Sequence, residues 1–379
     1  NLFKSVEYPQ GKIKVIVNER KFSEKIPSEQ VMQLIDHDIF ASLPEYAQAA
    51  DTLTRASATV VVEEPDCAYA KAIRRIARQT GEVMVGLALG GGAAFGLAHI
   101  GVIKMLEKEN IPIDIVAGTS MGALVAAFWA SGKSAAEMES IMMEYNNRRD
   151  RVFCLMGDVC FPKSSLVAGK NVIKFLKKNL GDKTFHDVKL QLKILATDLD
   201  TRKIIVFDTG SLVEAVRASI AIPGFFKPVR IKGDLLIDGG VLAPVPTDIL
   251  AEAGARKIIA VNVLPSPHDV QEGYKKYKYQ LAQEKTDMQK RGLAARIVYG
   301  IRLLLEKLFF PNIMDLMINS LQTMEYEISQ ENCRKADVVI NPIIPGMHWF
   351  EFFRARAFID KGEEETQKAI AKIKELINS

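Results

Sequence analysis

Cysteine is scarce in this chain, with only Cys67, Cys154, Cys160 and Cys333 among 379 residues. None forms a Cys-x-x-Cys pair or sits near a histidine at zinc spacing, which argues against a disulfide framework and a structural zinc site. Histidine is almost as scarce: His37, His99, His186, His268 and His348. An excess of one charge is also lacking. Fifty Lys and Arg against 46 Asp and Glu leave a net charge of +4, too little to indicate nucleic-acid binding. Low-complexity tracts and repeats at solenoid periods are absent, so an extended array is not expected. The opening residues are too polar for a secretory signal, and a cytoplasmic or peripheral-membrane protein is expected.

What the chain does have is an ordinary globular balance, 48% hydrophobic and 25% charged, enough to bury a sizeable core. Two stretches, Val83 to Ile103 and Ile115 to Gly132, hold no Asp, Glu, Lys or Arg and approach the length of a membrane span. Glycines interrupt both, so each divides better into a buried strand, a turn and a helix.

Residues 1–80 read as a separate N-terminal extension of unknown role. Strands are expected at Lys12–Val17 and Thr59–Val62, and helices at Ser28–Ile35 and Tyr69–Arg78. From residue 81 onward the pattern alternates. Strands are expected at Val83–Leu89, Asp114–Ala117, Lys193–Thr197, Lys203–Phe207, Leu235–Ile237, Lys257–Val263 and Val338–Ile340. Helices are expected at Ala93–Lys108, after Ser120 through Trp129, at Ser211–Ser219 and over Trp349–Ile377. The implied class is α/β, a mainly parallel central sheet flanked by helices. A helical insertion near 270–330 interrupts it. There Ile297, Ile301, Leu304, Leu305 and Leu308 recur at helical spacing among Arg296, Arg302 and Lys307, up to Phe309-Phe310-Pro311. This segment is either a packed helical cap or a membrane-facing helix.

Gly118-Thr119-Ser120-Met121-Gly122 follows a strand and precedes a helix. A nucleophilic serine on a sharp turn needs that context, with small flanking residues and its hydroxyl at a helix N-terminus. Upstream, Gly90-Gly91-Gly92 lies at another strand-to-helix turn, where consecutive N–H groups can hold an oxyanion. The spacing of Gly90, Gly92 and Gly96 is one residue too long for a dinucleotide loop, so no cofactor is expected. Two kinds of base are open. His268 or His348, both after the serine, would complete a Ser-His-Asp triad. Asp238, before Gly239-Gly240, would act directly.

The run Gly86-Leu87-Ala88-Leu89-Gly90-Gly91-Gly92-Ala93-Ala94-Phe95-Gly96-Leu97-Ala98-His99-Ile100-Gly101-Val102 resembles the opening block of patatin-like phospholipases. The serine turn falls where that family has it. Ala218-Ser219-Ile220-Ala221-Ile222-Pro223-Gly224-Phe225-Phe226-Lys227-Pro228-Val229, followed by Asp238-Gly239-Gly240, is similar to its third signature. The tail from Ala336 to Gly362 resembles bacterial members and the neuropathy target esterase branch. Residues 81–379 would thus form the acyl hydrolase domain. The resemblance implies a Ser120–Asp238 dyad without histidine, acting on phospholipids or lysophospholipids through an acyl-enzyme. It further implies an oxyanion hole from Gly90, Gly91, Gly92 and Met121, support from Gly118, Gly122, Gly239 and Gly240, no metal, and transient contact with a lipid surface. Two positions depart from the pattern: Phe95 stands where members usually have Arg or Lys, and Ala243 where many have Asn. A non-catalytic lipid-binding protein on the same fold is the third reading.

Overall fold

A computed structural model describes residues 15–18, 39–44, 46, 60–64, 67–158, 165–275 and 313–379. The expected helix at Ser28–Ile35 and the apolar stripe from Ile297 to Leu308 lie outside them. The chain divides into two units, Asn1–Met84 and Val85–Ser379.

In the first unit, β1 (Val15–Asn18) and β2 (Ile39–Leu43) pair in parallel. Val60–Glu63 is a short helix, α1, where β-branched residues had suggested a strand. Local bonds explain the difference. Glu64 N–H donates to Val60 O at 2.9 Å, and the Arg74 guanidinium donates to Val61 O at 2.9 Å. The backbone is thereby satisfied without a partner strand, and β propensity yields to context. Helix α2 (Ala68–Thr80) follows, its N-terminus capped by Cys67 Sγ.

The second unit begins its sheet with β3 (Met84–Leu89). A 3₁₀ turn over Ala93–Leu97 leads into α3 (Ala98–Lys108), then β4 (Ile115–Thr119) and α4 (Met121–Ala130). Next come α5 (Ala135–Met143), α6 (Arg149–Met156), β5 (Ser165–Val167) and α7 (Lys170–Leu180). The chain continues through β6 (Gln191–Asp198), β7 (Lys203–Phe207), α8 (Leu212–Ser219), β8 (Gly224–Phe226) and β9 (Val229–Ile231). It closes with β10 (Asp234–Asp238), α9 (Thr247–Glu252), β11 (Ala255–Val261), α10 (Ile313–Cys333), β12 (Val338–Ile340) and α11 (Ala355–Asn378).

The central sheet has the order β12-β11-β3-β4-β6-β10-β9, with β7 also on β6. β11/β12, β3/β4 and β4/β6 pair in parallel. β10 and β7 lie antiparallel to β6, and β9 antiparallel to β10. The α/β architecture expected from the alternating pattern is therefore present, with its antiparallel strands gathered around β6.

The two uncharged stretches fold as strand, turn and helix. Every residue of β3 and β4 is buried, and so is most of α4, including Phe128 at 0% exposure. Burying one such side chain contributes about 2–3 kcal/mol. A helix apolar on all sides belongs inside a core. No described helix is long and apolar enough to cross a membrane.

The register of β6 positions the site. β4 runs beside residues 191–195 and ends with Thr119 opposite Leu195. β10 comes antiparallel beside residues 196–198 and ends with Asp238 opposite Ala196. β7 pairs with residues 194–198. A strand has only two hydrogen-bonding edges, so β4 and β10 share one of them. Their ends converge head to head, and residues 120 and 238 meet.

Candidate active site

The turn after β4 holds Ser120 at φ 53° and ψ −121°. A non-glycine residue pays strain for that conformation, and such strain persists only where surroundings enforce it. Here the enforcement is steric and polar. A Cβ on Gly118 would lie 2.5 Å from Gly122 O, and one on Gly122 would lie 2.1 Å from Leu89 O. Only glycine lets these backbone segments touch. Thr119 Oγ1 donates to Ala243 O at 2.9 Å. The Ser120 N–H donates to Ser219 Oγ at 2.9 Å. Ser219 is fully buried at the end of α8, and sequence reasoning assigned it no role. Its position in the Ala218–Val229 block was the available signal.

The Ser120 hydroxyl donates to Asp238 Oδ2 at 2.6 Å. The other oxygen, Oδ1, accepts the Gly240 N–H at 2.8 Å, and the Asp238 N–H donates to Ala221 O at 3.0 Å. Both side chains are buried, Ser120 at 5% exposure and Asp238 at 3%. Burial pushes the Asp238 carboxyl up to about 7, against the lowering effect of the Ser120 and Gly240 hydrogen bonds. An acid balanced near neutrality can both accept and return a proton at ordinary pH.

The glycine loop is placed beside the serine, since a Cβ on Gly91 would lie 3.3 Å from Ser120 Cβ. Its N–H groups are not all available, which corrects the expectation that Gly90 and Gly91 donate to an oxyanion. The Gly90 N–H donates to Val261 O at 3.0 Å and the Gly91 N–H to Pro244 O at 2.8 Å. The loop is tied to the end of β11 and to the segment before α9, and those ties consume two donors. Among the described residues, no acceptor takes the N–H of Gly92 or of Met121, the first residue of α4. These two N–H groups are open beside the serine, the second at a helix N-terminus. His99 Nε2 donates to Gly90 O at 2.8 Å; full burial drives its imidazole down to about 4. It is therefore neutral at ordinary pH, and it anchors the loop from behind.

His268 and His348 are exposed, and neither is a hydrogen-bond partner of Ser120 or Asp238. His348 stacks on Phe350 instead, with centroids 5.5 Å apart. The structure does not bring either histidine to the serine. Phe95 is buried and meets Phe358 edge-on at 5.9 Å, so the position where the resemblance implies a cation is core packing against α11. Ala243 is buried; its carbonyl accepts from Thr119 and its N–H donates to Gly239 O at 2.9 Å. Gly239 and Gly240 are buried in the turn after Asp238.

Ser120 and Met121 border an almost wholly apolar pocket. Leu97, Leu124, Phe175, Phe225 and Trp349 are among its walls. A site of this kind can present an ester carbonyl to the serine while holding a hydrocarbon chain. Among the described residues, no group of three or more His, Cys, Asp or Glu could hold a metal ion.

Residues 87–251 match the family described as patatin-like phospholipase. The chain is 33% identical over 191 residues to the neuropathy target esterase sws of Drosophila melanogaster, covering 50% of this chain and 13% of that protein. It is 34% identical over 191 residues to patatin-like phospholipase domain-containing protein 6 of Homo sapiens, covering 50% of this chain and 14% of that protein. It is 31% identical over 210 residues to lysophospholipase NTE1 of Pyricularia oryzae, covering 55% of this chain and 14% of that protein. The match therefore spans about one-seventh of the length of these curated relatives.

Proposed function

We propose that this chain is a serine acyl hydrolase of lipid esters working through a Ser120–Asp238 dyad, a reading supported by the match of residues 87–251 to the patatin-like phospholipase family. The observation that carries the reading is the 2.6 Å bond from the Ser120 hydroxyl to Asp238 Oδ2, at the edge of an apolar pocket.

In the proposed reaction an acyl chain enters the pocket and its ester carbonyl meets Ser120. Asp238 takes the hydroxyl proton as Ser120 Oγ attacks the carbonyl carbon. Negative charge then gathers on the carbonyl oxygen, where the N–H groups of Gly92 and Met121 stabilise it; losing one such donor typically costs about 3 kcal/mol. The intermediate collapses, the ester C–O bond breaks, and the departing alkoxide takes the proton from Asp238. Water next gives a proton to Asp238 and attacks the acyl-enzyme. Release of the fatty acid returns the proton to Ser120.

For the substrate we favour phospholipids or lysophospholipids, in keeping with the names of the relatives, and transient contact with a lipid surface. Phe95 adds a bias. With a buried ring in place of a cation, the loop has less means of recognising a charged head group, which moves preference toward neutral esters. The test is a panel of diacyl phospholipids, lysophospholipids and neutral esters run beside Ser120→Ala. The reading predicts turnover of at least one lipid ester, lost in the variant. Hydrolysis that persists in Ser120→Ala would overturn it.

A further inference from the structure

Asp238 has an acidic neighbour from a distant part of the chain. Helix α10 packs on the Asp238-Gly239-Gly240 turn and brings Glu325 to it. A Cβ built on Gly240 would lie 2.9 Å from Glu325 Oε1 and 3.1 Å from Asp238 Oδ1. Oxygens of two carboxyl groups therefore border one small space, beside a buried glycine. Burial, and then the charge of Asp238, push the Glu325 carboxyl up to about 8.

Neighbouring charges do not resolve the conflict. Among the described residues no cation acts on either carboxyl. Among the described residues, the Asp238 turn and α9 pack on α10, and Asn262, beyond β11, donates to Ser329 Oγ at 3.1 Å. Helix α9 contributes Asp248 and Glu252, and Asp248 is held by Lys335 at 2.6 Å. On α10 itself, Tyr326 and Glu327 flank the site, and Glu331 pairs with Arg334 at 2.6 Å. Two carboxylates in a poorly solvated space repel strongly, so ionising one holds the proton on the other.

We propose that Glu325 and Asp238 form a carboxyl pair that carries one negative charge near neutral pH, which makes Glu325 a positioning residue for the proton on the general base. The proposal rests on the assignment of Asp238 as the base of Ser120. With the charge on Asp238, the serine has its base. With the charge on Glu325, the proton stays on Asp238 and the serine has none. Glu325 thus competes for the charge that catalysis needs, and it holds the acid limb of the activity profile at higher pH than Asp238 alone would.

The experiment is fluorophosphonate labelling of Ser120 in the full chain as a function of pH, in the parent, Glu325→Gln and Glu325→Asp. Glutamine keeps the shape and removes the second acid. The acid-limb midpoint should fall by about one pH unit in Glu325→Gln, raising labelling about tenfold on that limb. Glu325→Asp keeps an ionisable partner and should keep a midpoint near that of the parent. Equal midpoints in the parent and Glu325→Gln would overturn the proposal. So would an equal shift in both variants, which would assign the effect to packing. Should Glu325→Gln fail to fold, the aspartate variant decides alone, because a shift as large as one unit there contradicts charge sharing. Labelling that does not depend on Ser120 would instead sink the hydrolase reading, a distinguishable failure.

Discussion

The two sides of the site are built in different ways. The serine side comes from a short stretch, β3 to α4, and its parts are small residues in close approach: Gly118 against the Gly122 backbone, Gly122 against the Leu89 backbone, and Gly91 against the Ser120 side chain. The acid side is assembled from afar. Asp238 is held by Ala221 and Gly240, lies opposite Ala196, and faces Glu325 from α10. A side made by local sterics can be written as a motif. A side made by tertiary contacts draws its chemistry from residues that no motif contains, and the charge state of the dyad is decided there.

The largest expected effect separates the sides at the level of activity. Ser120→Ala and Asp238→Asn should each lower hydrolysis by about 10³-fold or more, because nucleophile and base act as a unit. Near-additive losses in the double variant, measured as kcat/KM, would break that unity. The next effect concerns stability on the serine side. Gly122→Ala places a methyl group where Leu89 O already sits, and it should cost about 3 kcal/mol or more in chemical denaturation, a typical scale for overpacking. A cost below about 1 kcal/mol would mean the elbow can relax.

Smaller effects belong to the connection between the sides. Ser219→Ala strips the buried Ser120 N–H of its acceptor, and should cost about 1–3 kcal/mol together with a fall in kcat. An unchanged kcat would show that the elbow does not need this anchor. The acid side should also reveal itself in stability against pH. An unfolded aspartate has a pKa near 3.9, whereas folded Asp238 sits at about 7. Folding therefore raises its proton affinity. The associated stabilisation is complete below the unfolded value, and it is lost as pH climbs from about 4 to 7. Asp238→Asn should accordingly gain stability relative to the parent as pH rises through that window, read as the difference in denaturation midpoints. A flat difference would contradict the burial of an ionisable acid there.

This contrast also explains what the sequence made legible. The α/β alternation, the strand–turn–helix at Ser120 and the glycine loop could be read because periodicity and small-residue spacing are local signals. Asp238 could be read as a candidate only from its turn and the family resemblance, since the head-to-head arrangement of β4 and β10 arises from pairing along β6. Which glycine N–H groups stay open was not readable, because Val261 and Pro244 take two of them from other segments. Glu325 was invisible for the same reason, being one of several charged residues on a helix and distinguished only by what the helix packs against. At Val60–Glu63, β-branched propensity pointed to a strand while capping by Arg74 favoured a helical turn.

The most direct test of the central claim is to treat the full chain with a fluorophosphonate and locate the adduct by peptide mapping. The account predicts a single adduct on Ser120 in the parent and its loss in Asp238→Asn with the fold intact. An adduct at another residue, or undiminished labelling of Ser120 in Asp238→Asn, would contradict it.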